Sequence, residues 1–190
     1  MRKIIYLSAF MVLGTSLLAA QTLDMGQNTF LNKDGPLNVL VEAGVAASYL
    51  DSPYAFFILR MGMDANRYGA IDRNSITLIY KGQEYKMPSL KEFRKNYNQE
   101  RRDMRAYQRL PEEPLIMAGM NTLQYNSSFD FFPLRNERGK STDSGSISAS
   151  IGLRTRVYFK NPGFEPGDRF IIQVKDRKDP EVVTNVVVIL

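Results

Sequence analysis

Arg101, Arg105 and Arg109 recur every four residues, a spacing that sets three guanidinium groups on one face of a helix. Tyr97 and Tyr107 interleave with them. Cations and aromatic rings at this spacing suit contact with an acidic protein segment, anionic lipid or a polyanion. Across residues 89–109, Lys91, Arg94, Lys95, Arg101, Arg102, Arg105 and Arg109 oppose only Glu92, Glu100 and Asp103, a local charge of +4. The plainer account of the same residues is a solvated helix face whose long stems cover a sheet.

Other chemistry has little to draw on. The chain contains no His and no Cys. That removes the imidazole acid–base pair, the thiol nucleophile and the usual zinc ligands, and it forbids disulfides. Glu112 and Glu113 follow the basic segment beside Tyr107, but paired glycosidase carboxylates must face each other roughly 5–10 Å apart across a groove. Adjacency in sequence does not supply that. Lys140 and Ser141 share a hydrophilic stretch, a poor place to preorganise a nucleophile. Asp64, Asn66 and Asp72, and then Asp176, Asp179 and Glu181, have oxygen donors of the kind calcium takes, without helix–loop–helix cadence. Turn chemistry explains both groups. The expectation is a non-enzyme with no catalytic residues, no metal and no cofactor.

The elements that must position the basic segment are mostly strands. Before them, Arg2 and Lys3 precede an apolar run from Ile4 to Leu18, with Ala19 and Ala20 after it. This pattern reads as a signal peptide, residues 1–20, with cleavage after Ala20. The run is short for a bilayer span of about 20 residues, so no transmembrane segment is expected once the leader is removed. The mature chain is then exported, with the periplasm the first expectation and the extracellular space the second. Export also argues against an intracellular nucleic-acid partner.

Residues 21–35 are polar and read as a flexible lead or one short edge strand near Thr29–Leu31. Residues 36–190 read as a single domain. Leu37–Ala47 alternates as a strand, and Tyr54–Met63 is apolar on both faces, as a central strand between two covering layers should be. Ile76–Tyr80, Lys81-Gly82 and Gln83–Met87 predict a hairpin. Ser89 can cap a helix, with Glu92 completing a capping box, and Pro111 ends it. Residues 89–109 are therefore predicted as one amphipathic helix lying across a sheet. Leu115–Met120 and Tyr125–Phe132 read as short strands or loops, and 136–145 as a flexible loop.

Ser146–Phe159 alternates again, with Ile147, Leu153, Val157 and Phe159 facing a core and Ser148, Arg154, Arg156 and Tyr158 on a wet face. Arg169–Lys175 is a strand, and Val182–Leu190 reads as a buried central strand or a docking edge. Seven or eight short strands with Gly/Pro turns predict a mainly β fold, an antiparallel immunoglobulin-like β-sandwich with one inserted helix.

From this the first function expected is a non-catalytic envelope protein that binds another protein or its own copies. Arg101, Arg105, Arg109, Tyr97 and Tyr107 form the candidate surface. The alternatives are a small-ligand carrier or sensor with its site between helix and sheet, and a carboxylate-dependent hydrolase.

Overall fold

The computed structural model describes residues 21–125, 129–135 and 140–190. The leader expected over 1–20 lies outside the described residues, as do 136–139 of the loop expected over 136–145; the rest of that loop holds a short strand, Lys140–Ser141, and the start of another at Ser144. The described strands are β1 (Leu23–Asp24), β2 (Thr29–Asn32), β3 (Leu37–Glu42), β4 (Tyr54–Met63), β5 (Tyr68–Asp72), β6 (Ile76–Tyr80), β7 (Gln83–Lys86), β8 (Gln124–Tyr125), β9 (Phe129–Asp130), β10 (Lys140–Ser141), β11 (Ser144–Ser148), β12 (Ile151–Lys160), β13 (Arg169–Lys175) and β14 (Val183–Ile189). The helices are α1 (Gly44–Ser48), α2 (Leu90–Asn96), α3 (Glu100–Tyr107) and α4 (Glu113–Met117).

The result is a mixed α/β fold dominated by antiparallel strands. One six-stranded sheet runs β1-β2-β3-β4-β12-β8, and a four-stranded sheet runs β14-β13-β6-β7. Two short ladders, β11-β5 and β10-β9, complete the set. Strands β2 to β12 of the large sheet pair antiparallel, and only its last pair, β12 with β8, is parallel.

Register separates the two faces of the large sheet. Leu40 pairs with Arg60 and Arg60 with Arg154, so these share one face; Val41, Leu59 and Val157 lie on the other. On that second face Phe57 meets Phe170 of the small sheet at 5.6 Å between ring centroids. One buried cluster runs through both sheets, joining Val39, Leu59 and Val157 to Leu78, Ile172 and Val186. Each fully buried side chain of this size contributes about 1.5–3 kcal/mol, which is how a chain without disulfides holds together. The opposite face of the large sheet carries the helices. Tyr54 packs on Phe93 of α2, and Phe56 on Tyr107 of α3. The two-sided apolarity of β4 has this cause.

The hairpin of β6 and β7 forms as its sequence predicts. Lys81 (φ 50°) and Gly82 (φ 76°) both adopt positive φ, so the turn is type I′, whose twist matches the flanking strands.

Several elements differ from expectation. The strand over Leu37–Ala47 stops at Glu42, and Gly44–Ser48 is helical. Alanine fits an alternating pattern and a helix equally well, and the chain must reverse here to reach β4. The helix over 89–109 is two helices, because Tyr97 is extended (φ −139°, ψ 136°). Its ring leaves the helical path to pack on Tyr54 and Tyr158. Thr29–Asn32 is a buried strand within the sheet, so the lead is not free over its length. Glu113–Met117 is helical. The face of β12 expected to be wet is covered by helices and by residues 129–132: Tyr158 is fully buried, and Arg156 is buried against Asp130 with Nε–Oδ2 of 2.6 Å. Finally, β14 is an edge strand with alternating burial. Its neighbours guard it, since Thr22 Oγ1 accepts from the Val187 amide and the Asn32 side chain donates to the Asn185 carbonyl.

Candidate functional site

The basic segment reaches its place through a helix, a break and a second helix. Ser89 starts α2 by accepting the Glu92 amide at 3.1 Å. Phe93, its one fully inward side chain, sits 4.4 Å from the Tyr158 ring centroid. After the break at Tyr97, Gln99 opens α3 without a side-chain cap.

The orientation of α3 sorts its charges. Asp103 is buried at 1% exposure and accepts from Tyr97 Oη at 2.6 Å and from Arg102 Nη2 at 3.0 Å. Ser52 Oγ lies 3.2 Å from the same tyrosine hydroxyl. Arg102 spreads over the Tyr49 ring at 4.2 Å. Burial pushes the Asp103 carboxyl above its ordinary range, against the pull of Tyr97 and Arg102. Burial, and then the hydrogen bond to Asp103, raises the Tyr97 phenol. Glu100 is also buried and is held by Arg135 Nε at 3.2 Å. Arg135 in turn donates to the Tyr97 and Arg94 carbonyls, so it pins the break between the helices. Both acids of α3 are thus spent on internal partners.

The cations are left outside. Arg101 and Arg105 are exposed on α3, with Arg105 Nε 3.3 Å from the Arg101 carbonyl oxygen. Arg109 is exposed in the turn just after the helix. Lys91 and Lys95 are exposed on α2. Among the described residues none of these five forms an ion pair. Glu92 is the only exposed acid on α2 and α3. At the break, Asn98, Glu100, Arg101, Leu134 and Arg135 line a cleft of about 320 Å³.

The structure therefore leaves the three expected arginines exposed and takes both tyrosines inward. Tyr97 is 3% exposed and faces the core. Tyr107 is half-buried, accepting from Arg60 Nη2 at 3.0 Å with Glu42 Oε1 3.3 Å from its hydroxyl. Burial, followed by the Glu42 charge, raises its phenol.

Beneath α3 lies a polar cluster that sequence reasoning did not assemble. Arg60 Nε pairs with Glu42 at 2.9 Å, both largely buried, and Arg60 lies over the Tyr125 ring at 5.4 Å. Arg154 lies over Tyr107 at 5.3 Å. The available signal was a charge at the end or centre of an otherwise apolar strand: Glu42 on β3 and Arg60 on β4. This cluster couples α3 to the sheet through the Glu42–Arg60–Tyr107 hydrogen bonds, while the buried Arg154 Nε has no hydrogen-bond partner among the described residues.

The residues considered for other chemistry are dispersed. Glu112 and Glu113 are exposed at the start of α4. Asp72 accepts from Ser75 as a cap, and Asp176 accepts from the Ala70 and Lys178 amides. Among the described residues, no three acidic side chains gather as a metal site would require, and no helix is long and apolar enough to cross a membrane. Searches against protein-family models, curated proteins and solved structures return no match for this chain.

Proposed function

We propose that this chain is an exported, non-catalytic envelope protein that binds another protein, or further copies of itself, through the exposed cations of α2, α3 and the turn after α3. The observation carrying this reading is the sorting of charge. Glu100 and Asp103 are consumed by Arg135 and Arg102, while Arg101, Arg105 and Arg109 are exposed and form no ion pair among the described residues. A solvated helix face has no need of such segregation, and the usual device for one is exposed acids and bases paired four apart. The leader sequence supports export to the periplasm. A sandwich relation between the six- and four-stranded sheets, immunoglobulin-like in kind, belongs to the same reading, supported by Phe57, Phe159 and Phe170 meeting between them. The carrier alternative is disfavoured because Tyr54, Phe93, Tyr97, Phe132 and Tyr158 fill the seam between helices and sheet.

The test is capture from native envelope extract with the tagged protein and with a variant carrying Arg101→Glu, Arg105→Glu and Arg109→Glu. All three positions are exposed, and far-ultraviolet circular dichroism checks that the variant keeps its fold. A specific partner recovered by the native chain and lost with the variant supports the reading. Equal recovery by both removes it.

A further inference from the structure

We infer that the partner presents an extended acidic segment, with carboxylates at alternate positions, one of which enters the cleft at the α2–α3 break. This deepens the reading above and rests on it.

Among the described residues, the cleft has one cation outside any ion pair. Arg135 is fixed by Glu100 and by two carbonyls, so its charge and that of Glu100 offset each other. Arg101, on the same cleft, has no ion pair among the described residues. Asn98 is exposed beside it with an amide able to donate, and Leu134 provides an apolar wall. A guanidinium, an amide donor and a methyl-bearing wall suit a Glu or Asp side chain: the carboxylate meets the polar groups and the stem lies on Leu134. A volume of about 320 Å³ is ample for one such side chain.

Spacing gives the pattern. Arg101 and Arg105 are one helical turn apart, roughly 6 Å along the axis of α3. Alternate side chains of an extended peptide are about 6.8 Å apart on one side. A strand-like segment with acids at every second position therefore presents one carboxylate to Arg101 and the next to Arg105, with Arg109 beyond the helix end available to a third. A run of contiguous acids on such a segment would direct part of its charge away from this face.

The test uses the purified protein and two fluorescent peptides of equal composition, one alternating Glu and Ser, the other with all Glu residues in one block. Binding is read by anisotropy at low salt, with phosphatidylglycerol vesicles as a separate arm. The alternating peptide is expected to bind more tightly than the block peptide. Arg101→Glu and Asn98→Ala should weaken it, the former about tenfold or more, while Lys175→Glu, on the exposed face of β13, changes it less than about twofold. Equal binding of the two peptides, or equal loss with Lys175→Glu, overturns the inference in favour of a diffuse charge effect. Vesicle binding without peptide binding overturns it in favour of a membrane. Partner capture that depends on the three arginines, with no preference for the alternating peptide, overturns the inference and leaves the protein-binding reading standing.

Discussion

Asp103 ties three elements together: Tyr97 in the break, Arg102 on α3 and, through Tyr97, Ser52 ahead of β4. Replacing it strands a phenol hydroxyl in the interior. Because Arg102 is about one-third exposed, the lost ion pair counts for less than a fully buried one. Asp103→Ala is expected to cost about 2–3 kcal/mol, and Tyr97→Phe about 1 kcal/mol. Urea denaturation of the two variants measures both, and a cost for Asp103→Ala no larger than that for Tyr97→Phe would contradict the arrangement. Four phenols point to a second consequence. Tyr97, Tyr107, Tyr125 and Tyr158 all titrate above the ordinary value of 10, burial being the first cause in each. Above pH 10 the unfolded chain releases these protons while the folded chain keeps them. Their contribution is therefore complete below pH 10 and is lost as pH rises beyond it. Alkaline titration should show their phenolate absorbance appearing together with loss of the far-ultraviolet β signal. Ionisation of these four with the fold intact would contradict their burial.

The elements show which local signals decide structure and which are overruled. Lys81-Gly82 between two alternating runs marked its hairpin, since Gly82 takes a positive φ at no steric cost. The stop at Tyr97 had no such marker. No Pro or Gly precedes it, and Leu90, Phe93 and Tyr97 fit one helical stripe; packing of the Tyr97 ring against Tyr158 decides the matter instead. Alternation along Ser146–Phe159 marked strand structure, but neither the break at Ala149–Ser150 that divides the run into β11, paired with β5, and β12, paired with β4, nor which face of β12 met water. Arg154 and Arg156 look solvent-directed until Asp130, Tyr107 and the helices are placed over them. Gly152 shows the same dependence. A Cβ there would stand 2.5 Å from Tyr125 Cε1 and 3.1 Å from Leu123 Cβ, so the absence of a side chain lets β8 lie against β12. Gly152→Ala should cost about 1–3 kcal/mol by urea denaturation, whereas Gly35→Ala, with open space around it, should change stability by less than about 0.5 kcal/mol.

At the scale of the molecule, the large sheet meets the small sheet through Phe57 and Phe170 on one face and carries its helices on the other, and two arginines of the helix-covered face have carboxylate partners. Arg60 has Glu42, and Arg156 has Asp130. The candidate surface was legible in the sequence as a run of cations at helical spacing. What made it a surface was not, because the inward turn of Glu100 and Asp103 depends on Arg135 and Ser52, distant in the chain. Labelling with phenylglyoxal, read by mass spectrometry at each arginine, tests whether those outward cations serve a partner. In the purified protein Arg101, Arg105 and Arg109 should react quickly and Arg60 and Arg156 slowly. In native envelope extract the first three should become protected while exposed Arg169 stays reactive. Equal reactivity of Arg101, Arg105 and Arg109 in both preparations would contradict the account.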